Sequence, residues 1–232
     1  MFVKPRILAF DTFGTVVDWH GSIVKEVGEM FPTLDADAFA KAWRSQYHPM
    51  MQKVMRQELP WTKIDDLHRT ILNQILDDFG VSHLNEPERH HLNLVWHRLK
   101  PWPDSVAGLK KLKSHFVIAP LSNGNFSLLT NMAKRANLPW DCILSAEVFR
   151  AYKPDPRTYL GVAQTFDVTP DKVMLVATHH DDLEAARACG LQTAYIKRPL
   201  EFGARNPKDV SPRAANHLHA RDLLDLADQL AC

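Results

Sequence analysis

The sequence predicts an α/β protein with a doubly wound, mostly parallel sheet and an inserted all-helical segment. Short apolar runs alternate with helix-like segments along most of the chain, which is typical of an open parallel sheet with helices on both faces. The runs are continuously apolar and do not alternate with polar residues, as expected for strands buried on both faces. One long stretch near the N-terminus shows only helical periodicity.

The strands of the predicted sheet are the short apolar runs at residues 6–10, 116–121, 142–144, 173–177 and 193–196. Helix-like segments lie between them at residues 106–114, 127–136, 156–166 and 182–190. The last residues, 201–232, read as a polar loop followed by a short helix. This alternation predicts a doubly wound, Rossmann-like core.

The helical stretch defines the expected domain organisation. Amphipathic patterns at residues 39–57, 64–80 and 87–99 predict helices with no convincing strand among them. The proline-rich KPWPDS at residues 100–105 is a natural return linker. We therefore expect a core formed by residues 1–17 and 100–232, and a helical unit formed by residues 18–99.

Composition excludes several classes of function. The 232 residues carry a net charge of +1, so neither a nucleic acid nor an anionic membrane surface is an expected partner. The three cysteines have no C-x-x-C spacing, which argues against a disulfide framework or a zinc knuckle. The sequence contains neither a signal-peptide pattern nor an apolar run of about 20 residues. These features predict a cytoplasmic protein.

Polar residues cluster where the predicted strands end. Asp11 follows the first strand, Ser122 and Asn123 follow the second, Lys153 lies in AYKPDPRTY, and Asp182 follows the fourth strand. Ligands of open parallel sheets bind at this carboxyl edge. Each residue alone also has a structural explanation, as a helix or turn cap for most of them and as a solvated cation for Lys153. Their occurrence along one edge favours a chemical site.

The order aspartate, serine, lysine, carboxylate resembles the haloacid dehalogenase superfamily. Its phosphate-transferring members carry a second aspartate two positions after the nucleophile, where this chain has Phe13, and a metal-binding acid at the position of Thr178. Over nearly its full length the sequence is similar instead to the type II 2-haloacid dehalogenases. The matching motifs are FDTFGT, AWRSQY, LSNG and KPDPRTY, and the helical segment lies where that family has its cap domain.

The resemblance implies a metal-free and cofactor-free mechanism on a small haloacid. Asp11 would displace the halide with inversion, and water would then hydrolyse the resulting ester to a 2-hydroxy acid. Lys153 would lower the pKa of Asp11, and Asp182 would hold Lys153 and help to orient or activate the water. Phe13 can replace an acid because a halide leaves as an anion and needs no proton.

The resemblance also implies the substrate contacts. Ser122 and the backbone N–H groups near Thr12 and Phe13 would bind the carboxylate, while Thr15 fixes Asp11. Arg44 and Asn123 would face the halide, although Arg44 also fits an ordinary surface helix position. Tyr159 matches a family tyrosine near the site but is equally placed for burial in the core. Trp61 is a candidate for the pocket wall.

The run ATHHDD departs from the family pattern. Many members have serine, serine and asparagine where this chain has Ala177, Thr178 and His179. A histidine is larger than asparagine and can carry a charge. We expect His179 to shrink the pocket and donate a hydrogen bond, which would favour short haloacetates and fluoride as a leaving group.

Two other functions are compatible with the same fold. A magnesium-dependent phosphatase could reuse Asp181 or Asp182 for its metal, and a non-catalytic binding module could retain the fold alone. The family's usual preference is for the L enantiomer. The apolar helical segment could pack internally or form a homodimer.

Overall fold

The central feature of the computed structural model, which describes residues 4–232, is a six-stranded parallel sheet. Its strand order is β5-β4-β1-β6-β7-β8. The strands are β1 (Ile7–Phe10), β4 (Val117–Ser122), β5 (Leu144–Ser145), β6 (Val173–Ala177), β7 (Gln192–Ile196) and β8 (Leu218–Ala220). The five predicted strands are thus present, and the edge strand β8 is an addition within the predicted polar tail.

Strand β1 is central and buried on both faces. Phe10 lies opposite Pro120 of β4 and Val176 of β6, and all four residues of β1 are buried. Leu8 and Phe10 belong to one hydrophobic cluster, while Ile7 and Ala9 belong to another on the opposite face of the sheet. Burial on both faces is why the strand sequences are continuously apolar.

Helices cover both faces of this sheet, as the doubly wound prediction requires. They are α6 (Ser105–Lys113), α7 (Phe126–Ala136), α8 (Ala146–Phe149), α9 (Pro156–Thr165), α10 (His180–Ala188) and α11 (Leu223–Gln229). Helix α10 begins two residues before Asp182, which therefore lies in its first turn. The α/β fold class predicted from the sequence is confirmed.

The segment between β1 and β4 is mainly helical, and we call residues 19–97 the helical insertion. It contains α1 (Trp19–Met30), α2 (Ala36–Ser45), α3 (Tyr47–Met55), α4 (Ile64–Ile75), α5 (Glu86–Asn93) and a 3-10 helix (Leu94–His97). No helix within residues 4–232 is long and apolar enough to cross a membrane.

The amphipathic pattern at residues 39–57 corresponds to two helices and not to one. The chain forms two helices that meet at Gln46. Pro49 lacks an N–H, and its ring would clash with the carbonyl of Ser45 inside a continuous helix. The proline is tolerated in the first turn of α3, so a new helix begins there.

A small antiparallel pair joins the helical insertion to the sheet. β2 (Val17–Asp18) pairs with β3 (Lys100–Pro101) where the chain leaves the sheet and where it returns. The predicted linker thus begins with a short strand. The buried rings of Trp19, Trp43 and Trp96 share one hydrophobic cluster with Phe10. The division at residues 17/18 and 99/100 remains a prediction.

Candidate active site

Asp11 stands at the carboxyl end of the central strand. Its N–H donates to the Val176 carbonyl oxygen over 3.0 Å, which extends the sheet ladder by one residue. The Thr15 hydroxyl donates to Asp11 Oδ2 over 2.7 Å, and the same hydroxyl accepts from the Thr178 N–H over 3.0 Å. Thr15 therefore holds one carboxylate oxygen of Asp11 in place.

Lys153 is the cation that joins the two predicted carboxylates. Its Nζ lies 3.1 Å from Asp11 Oδ1 and 2.5 Å from Asp182 Oδ2. The Tyr159 hydroxyl donates to Asp182 Oδ1 over 2.6 Å. Burial lowers the pKa of Lys153, but the charges of Asp11 and Asp182 outweigh this effect and raise its pKa above the usual value. Lys153 is thus a fixed ammonium.

The surroundings of Asp11 favour its ionised form. Burial raises the pKa of the Asp11 carboxyl, but the Lys153 ammonium, the His179 ring and the Thr15 hydroxyl together hold that pKa well below its usual range. The carboxylate is nevertheless only 7% exposed. A buried, ionised carboxylate with few water contacts is a competent nucleophile.

His179 links Asp11 to a carboxylate that the sequence did not indicate. Its Nδ1 lies 3.1 Å from Asp11 Oδ2, and its Nε2 lies 2.7 Å from Glu201 Oε1. Burial lowers the pKa of His179, but the Glu201 and Asp11 carboxylates outweigh this effect and raise the pKa to about 9. In the resting protein at neutral pH the ring is an imidazolium that donates to both carboxylates.

Glu201 itself is almost fully buried, at 1% exposure. Lys208 Nζ lies 2.5 Å from its Oε2 and also donates to the Thr178 carbonyl oxygen over 2.7 Å. Burial raises the pKa of Glu201, but His179 and Lys208 lower it to about 2. Its only sequence signal was its location in the loop after the fifth predicted strand, at the same edge as Asp11.

These side chains open into a cavity of about 230 Å³. Its walls bring together residues from the sheet edge and from the helical insertion. They are Asp11, Phe13, Arg44, Tyr47, His48, Gln52, Asn123, Lys153, Pro154, Tyr159, His179, Asp181 and Asp182. Tyr47, His48 and Gln52 were not among the sequence candidates, although they follow Arg44 within one or two helical turns.

Arg44 brings a cation from the helical insertion into this cavity. Its guanidinium lies over the Tyr47 ring at 3.9 Å from the ring centre. Its Nη1 is buried and has no hydrogen-bond partner among the described residues. A half-buried arginine with one buried, unused donor is suited to an anionic ligand.

The remaining sequence candidates divide between the cavity wall and its surroundings. The Asn123 side chain does face the cavity, and its Oδ1 accepts from the Lys153 N–H over 2.8 Å. Ser122 is buried, and its Oγ accepts from the Gly124 N–H over 3.2 Å. Thr12 is buried, and its hydroxyl has no hydrogen-bond partner within residues 4–232. The structure does not bring Ser122, Thr12 or Thr15 to the cavity wall.

Trp61 lies away from this cavity. Its ring stacks on Tyr152 at 5.0 Å between centres. Tyr152 lines a second hollow of about 260 Å³, which shares His48, Gln52, Lys153 and Pro154 with the first. Trp61 thus supports a wall of that neighbouring hollow rather than the surroundings of Asp11.

The structure also bears on the phosphatase alternative, through Phe13 and through the contacts of Asp182. Phe13 packs edge-on against Trp96, with ring centres 5.9 Å apart. Both oxygens of Asp182 are engaged, one by Lys153 and one by Tyr159. Within residues 4–232, no cluster of three or more histidine, cysteine, aspartate or glutamate side chains is arranged to hold a metal ion.

Comparison with known proteins gives a consistent result. Residues 5–190 match the family model described as haloacid dehalogenase-like hydrolase. The chain is 29% identical over 209 residues to (S)-2-haloacid dehalogenase 4A of Burkholderia cepacia, covering 83% of each chain. It is also 24% identical over 200 residues to haloacetate dehalogenase H-2 of a Moraxella species, covering 84% of this chain and 87% of that one.

Solved structures extend the likeness to nearly the whole chain. The crystal structure of a defluorinating L-2-haloacid dehalogenase is 44% identical, covers 98% of this chain and 96% of its own, and superposes with a TM-score of 0.94. That of another L-2-haloacid dehalogenase is 43% identical, with coverages of 98% and 100% and a TM-score of 0.93. The chain therefore belongs to the haloacid dehalogenase-like hydrolases, and among them to the family of L-2-haloacid dehalogenases.

Proposed function

We propose that this protein hydrolyses short 2-haloalkanoic acids to 2-hydroxy acids and halide through an ester on Asp11. One observation carries the proposal: a buried, ionised aspartate faces a small cavity that also presents a cation with an unused donor. Asp11 is held by Lys153 and Thr15, and Arg44 supplies the cation. A haloacid has an electrophilic carbon that Asp11 can attack, and it releases a halide anion that the Arg44 guanidinium can bind.

The first step is a displacement at the carbon that bears the halogen. Asp11 Oδ1 carries one donor, Lys153, whereas Oδ2 is held by both Thr15 and His179, so Oδ1 is the freer oxygen for attack. A new C–O bond forms, the carbon–halogen bond breaks, and its electron pair leaves with the halide. Attack from behind inverts the carbon and gives a neutral ester.

The departing halide and the substrate carboxylate both need donors. Arg44 and Asn123, which lie on the cavity wall, are assigned to the halide. The family resemblance assigns the N–H groups of Thr12 and Phe13, with the hydroxyl of Ser122, to the carboxylate. Of these residues Phe13 lines the cavity, whereas Thr12 and Ser122 are buried beside it. The Phe13 side chain keeps this part of the cavity apolar, which strengthens these charge interactions.

The second step is hydrolysis of the ester. Water attacks the Asp11 carbonyl carbon, and the 2-hydroxy acid leaves. Lys153 stays paired with Asp182 throughout and keeps the regenerated carboxylate ionised. Because the helical insertion contributes Arg44, Tyr47 and His48 to the cavity wall, its closure on the sheet would keep bulk water from the ester until the halide has left.

We assign short substrates, including fluoroacetate, to this site. The cavity has a volume of about 230 Å³, and the His179 ring occupies the side next to Asp11. A relative at 44% identity is described as defluorinating. The fluoride released from fluoroacetate and the chloride released from chloroacetate in a single turnover should be compared in the wild type and His179→Asn, because single-turnover release reports the displacement step. We expect the ratio of fluoride to chloride release to fall in the variant, and an unchanged ratio would refute this role of His179.

The activity itself is tested by halide release from chloroacetate, fluoroacetate and each enantiomer of 2-chloropropionate, with and without EDTA. We expect release that EDTA does not affect, that favours the L enantiomer and that Asp11→Asn abolishes. The same samples should be assayed with p-nitrophenyl phosphate and magnesium. Phosphate release without any halide release would overturn the proposal and favour the phosphatase alternative.

A further inference from the structure

Glu201 is a buried carboxylate for which the two proposed steps have no use. It is 1% exposed, and it contacts three groups that approach from different parts of the chain. His179 Nε2 lies 2.7 Å from Oε1, Lys208 Nζ lies 2.5 Å from Oε2, and the Trp19 indole N–H lies 3.4 Å from Oε1. A carboxylate is buried at such a cost only where its partners hold it firmly.

The loop that follows the nucleophile packs directly on Glu201. Gly14 has a φ of +85°, and a Cβ added there would lie 2.3 Å from Glu201 Oε1. The absence of a side chain at Gly14 therefore lets the carboxylate approach the Asp11 loop. Glu201 is wedged between that loop and the His179 ring, so it fixes the ring relative to Asp11.

We infer that His179 is the base that activates water for hydrolysis of the Asp11 ester, and that Glu201, held by Lys208, is the positioning residue for it. This inference rests on the proposed dehalogenation. It adds the water-activating base and two residues that no sequence motif indicated. Neither Glu201 nor Lys208 touches the substrate, since neither lines the cavity.

Hydrogen-bond occupancy favours His179 over Asp182 as the base. Asp182 Oδ2 accepts from the Lys153 ammonium and Oδ1 accepts from the Tyr159 hydroxyl, so neither oxygen is directed at a water. His179 Nδ1 lies 3.1 Å from Asp11 Oδ2, the carboxyl group that water must attack. A water that displaces this contact lies between the ring nitrogen and the ester.

The charge of Asp11 decides whether the ring can accept a proton. In the resting protein, His179 lies between two carboxylates and is an imidazolium. Esterification removes the charge of Asp11, so the ring keeps only Glu201 as an anionic partner and binds its proton less tightly. The proton leaves to solvent from a side chain that is 23% exposed. The neutral ring keeps its Nε2–H on Glu201 and presents the Nδ1 lone pair to Asp11.

The proton balance of the cycle closes with this assignment. Esterification is followed by loss of one proton from His179, which is the proton that accompanies the halide in the overall reaction. Attack by water transfers a proton to Nδ1 and gives a tetrahedral oxyanion. Its collapse breaks the ester C–O bond, and the resulting alkoxide takes the proton of the Asp11 carboxyl. The product is the 2-hydroxy acid, and both Asp11 and His179 regain their resting charges.

The charges around His179 fix the direction of any pH effect. Asp11 and Glu201 face the ring directly, and Lys208 acts on it through Glu201. The further charges are Lys153 and Asp182, which form a pair, and the cavity-wall residues Arg44, His48 and Asp181. Removal of Glu201 lowers the affinity of the ring for its proton, whereas removal of Lys208 raises it.

The test follows the two steps separately by rapid quench with chloroacetate. Chloride release reports esterification, and the mass of the Asp11 peptide reports the ester and its decay. We expect Glu201→Gln to leave esterification within about threefold, to slow ester hydrolysis by about 10- to 100-fold, and to move the acid limb of hydrolysis to lower pH. Lys208→Met should move the same limb to higher pH.

Asp37→Asn is the matched control, because Asp37 also bonds a histidine and a lysine but lies outside the cavity. Asp37→Asn should change neither the rates of esterification and ester hydrolysis nor the acid limb of the pH profile of hydrolysis. Opposite shifts in the first two variants support the inference. The inference is refuted if Glu201→Gln hydrolyses the ester at the wild-type rate and with an unshifted acid limb of the pH profile. If Glu201→Gln does not fold, an unshifted acid limb in Lys208→Met refutes the inference. Absence of chloride release from the wild type would refute the proposed function instead.

Discussion

Two histidines of this chain have the same kinds of partner but different surroundings. In the helix triad, His20 Nε2 lies 2.8 Å from Asp37 Oδ1, and Lys41 Nζ lies 2.8 Å from Asp37 Oδ2. In the site triad (His179, Glu201 and Lys208), the corresponding distances are 2.7 and 2.5 Å. Hydrogen-bond geometry therefore does not distinguish them.

The two triads differ in the exposure of their carboxylates and in whether the histidine has a further carboxylate partner. The Asp37 side chain is 21% exposed, against 1% for Glu201. Lys41 follows Asp37 by one helical turn, whereas the members of the site triad come from two loops at the sheet edge. Only His179 also contacts Asp11. The His20 side chain is 7% exposed and that of His179 is 23% exposed, so burial of the ring is not the difference. The comparison teaches that a histidine–carboxylate pair becomes chemically useful when its carboxylate is buried and its ring contacts a group whose charge changes during the reaction.

The largest expected contrast between the triads is in activity. His179→Gln should slow haloacid turnover by about a thousandfold, since the proposed base is lost. His20→Gln should stay within about twofold of the wild type because His20 does not line the cavity. Steady-state chloride release from chloroacetate measures both variants. Comparable losses in the two would remove the functional distinction between the triads.

The next contrast is in stability. Glu201→Gln leaves Lys208 and His179 without their buried counter-charge, so we expect it to lower the free energy of unfolding by about 3 kcal/mol. Asp37→Asn should cost less than about 1 kcal/mol, because water screens the partly exposed pair. Urea titration of both variants at pH 7 measures these values. Equal costs would mean that burial does not separate the triads.

The same difference in burial decided what the sequence could predict. Strands β1, β4, β6 and β7 were predicted because burial on both faces leaves a continuous apolar run. Strand β8 was missed because its three residues, at the sheet edge, include a half-buried histidine. Periodicity alone did not show where α2 ends, because the apolar pattern continues through Pro49 into α3.

The residues of the site also fall into those that the sequence identified and those that it did not. Asp11 and Asp182 were identified because each lies within a few residues of a recognisable strand end, and Lys153 because it lies in a matching motif. Glu201 and Lys208 were not, because both belong to an irregular loop after β7 and only tertiary packing brings them to His179. A motif records residues that are near in sequence, so partners recruited from a distant loop remain hidden.

A smaller contrast concerns the pH dependence of stability. The pKa of His179 is raised to about 9 in the folded protein from 6.5, so its contribution is fully present below about pH 6.5 and is lost as pH rises through about 9. The loss should be no more than about 3 kcal/mol between these values. Unfolding free energies should be measured from pH 6 to pH 10 in the wild type and in His179→Gln. A decline that persists unchanged in the variant would show that other groups cause it.

The smallest expected effect is the response of the helix triad to salt. Lys41 and Asp37 form a partly exposed pair one helical turn apart, and such pairs contribute about 0.3 to 0.5 kcal/mol. Raising the ionic strength from about 0.01 M to 1 M shortens the screening length from about 30 Å to about 3 Å. The cost of Asp37→Asn should therefore approach zero at high salt.

The cost of Glu201→Gln should keep most of its value in the same series, since mobile ions do not reach a carboxylate that is 1% exposed. Urea titrations of both variants across the salt series give the two slopes. Parallel slopes would place both carboxylates in the same dielectric environment. In that case burial could not be the reason why His179, and not His20, responds to the charge of Asp11.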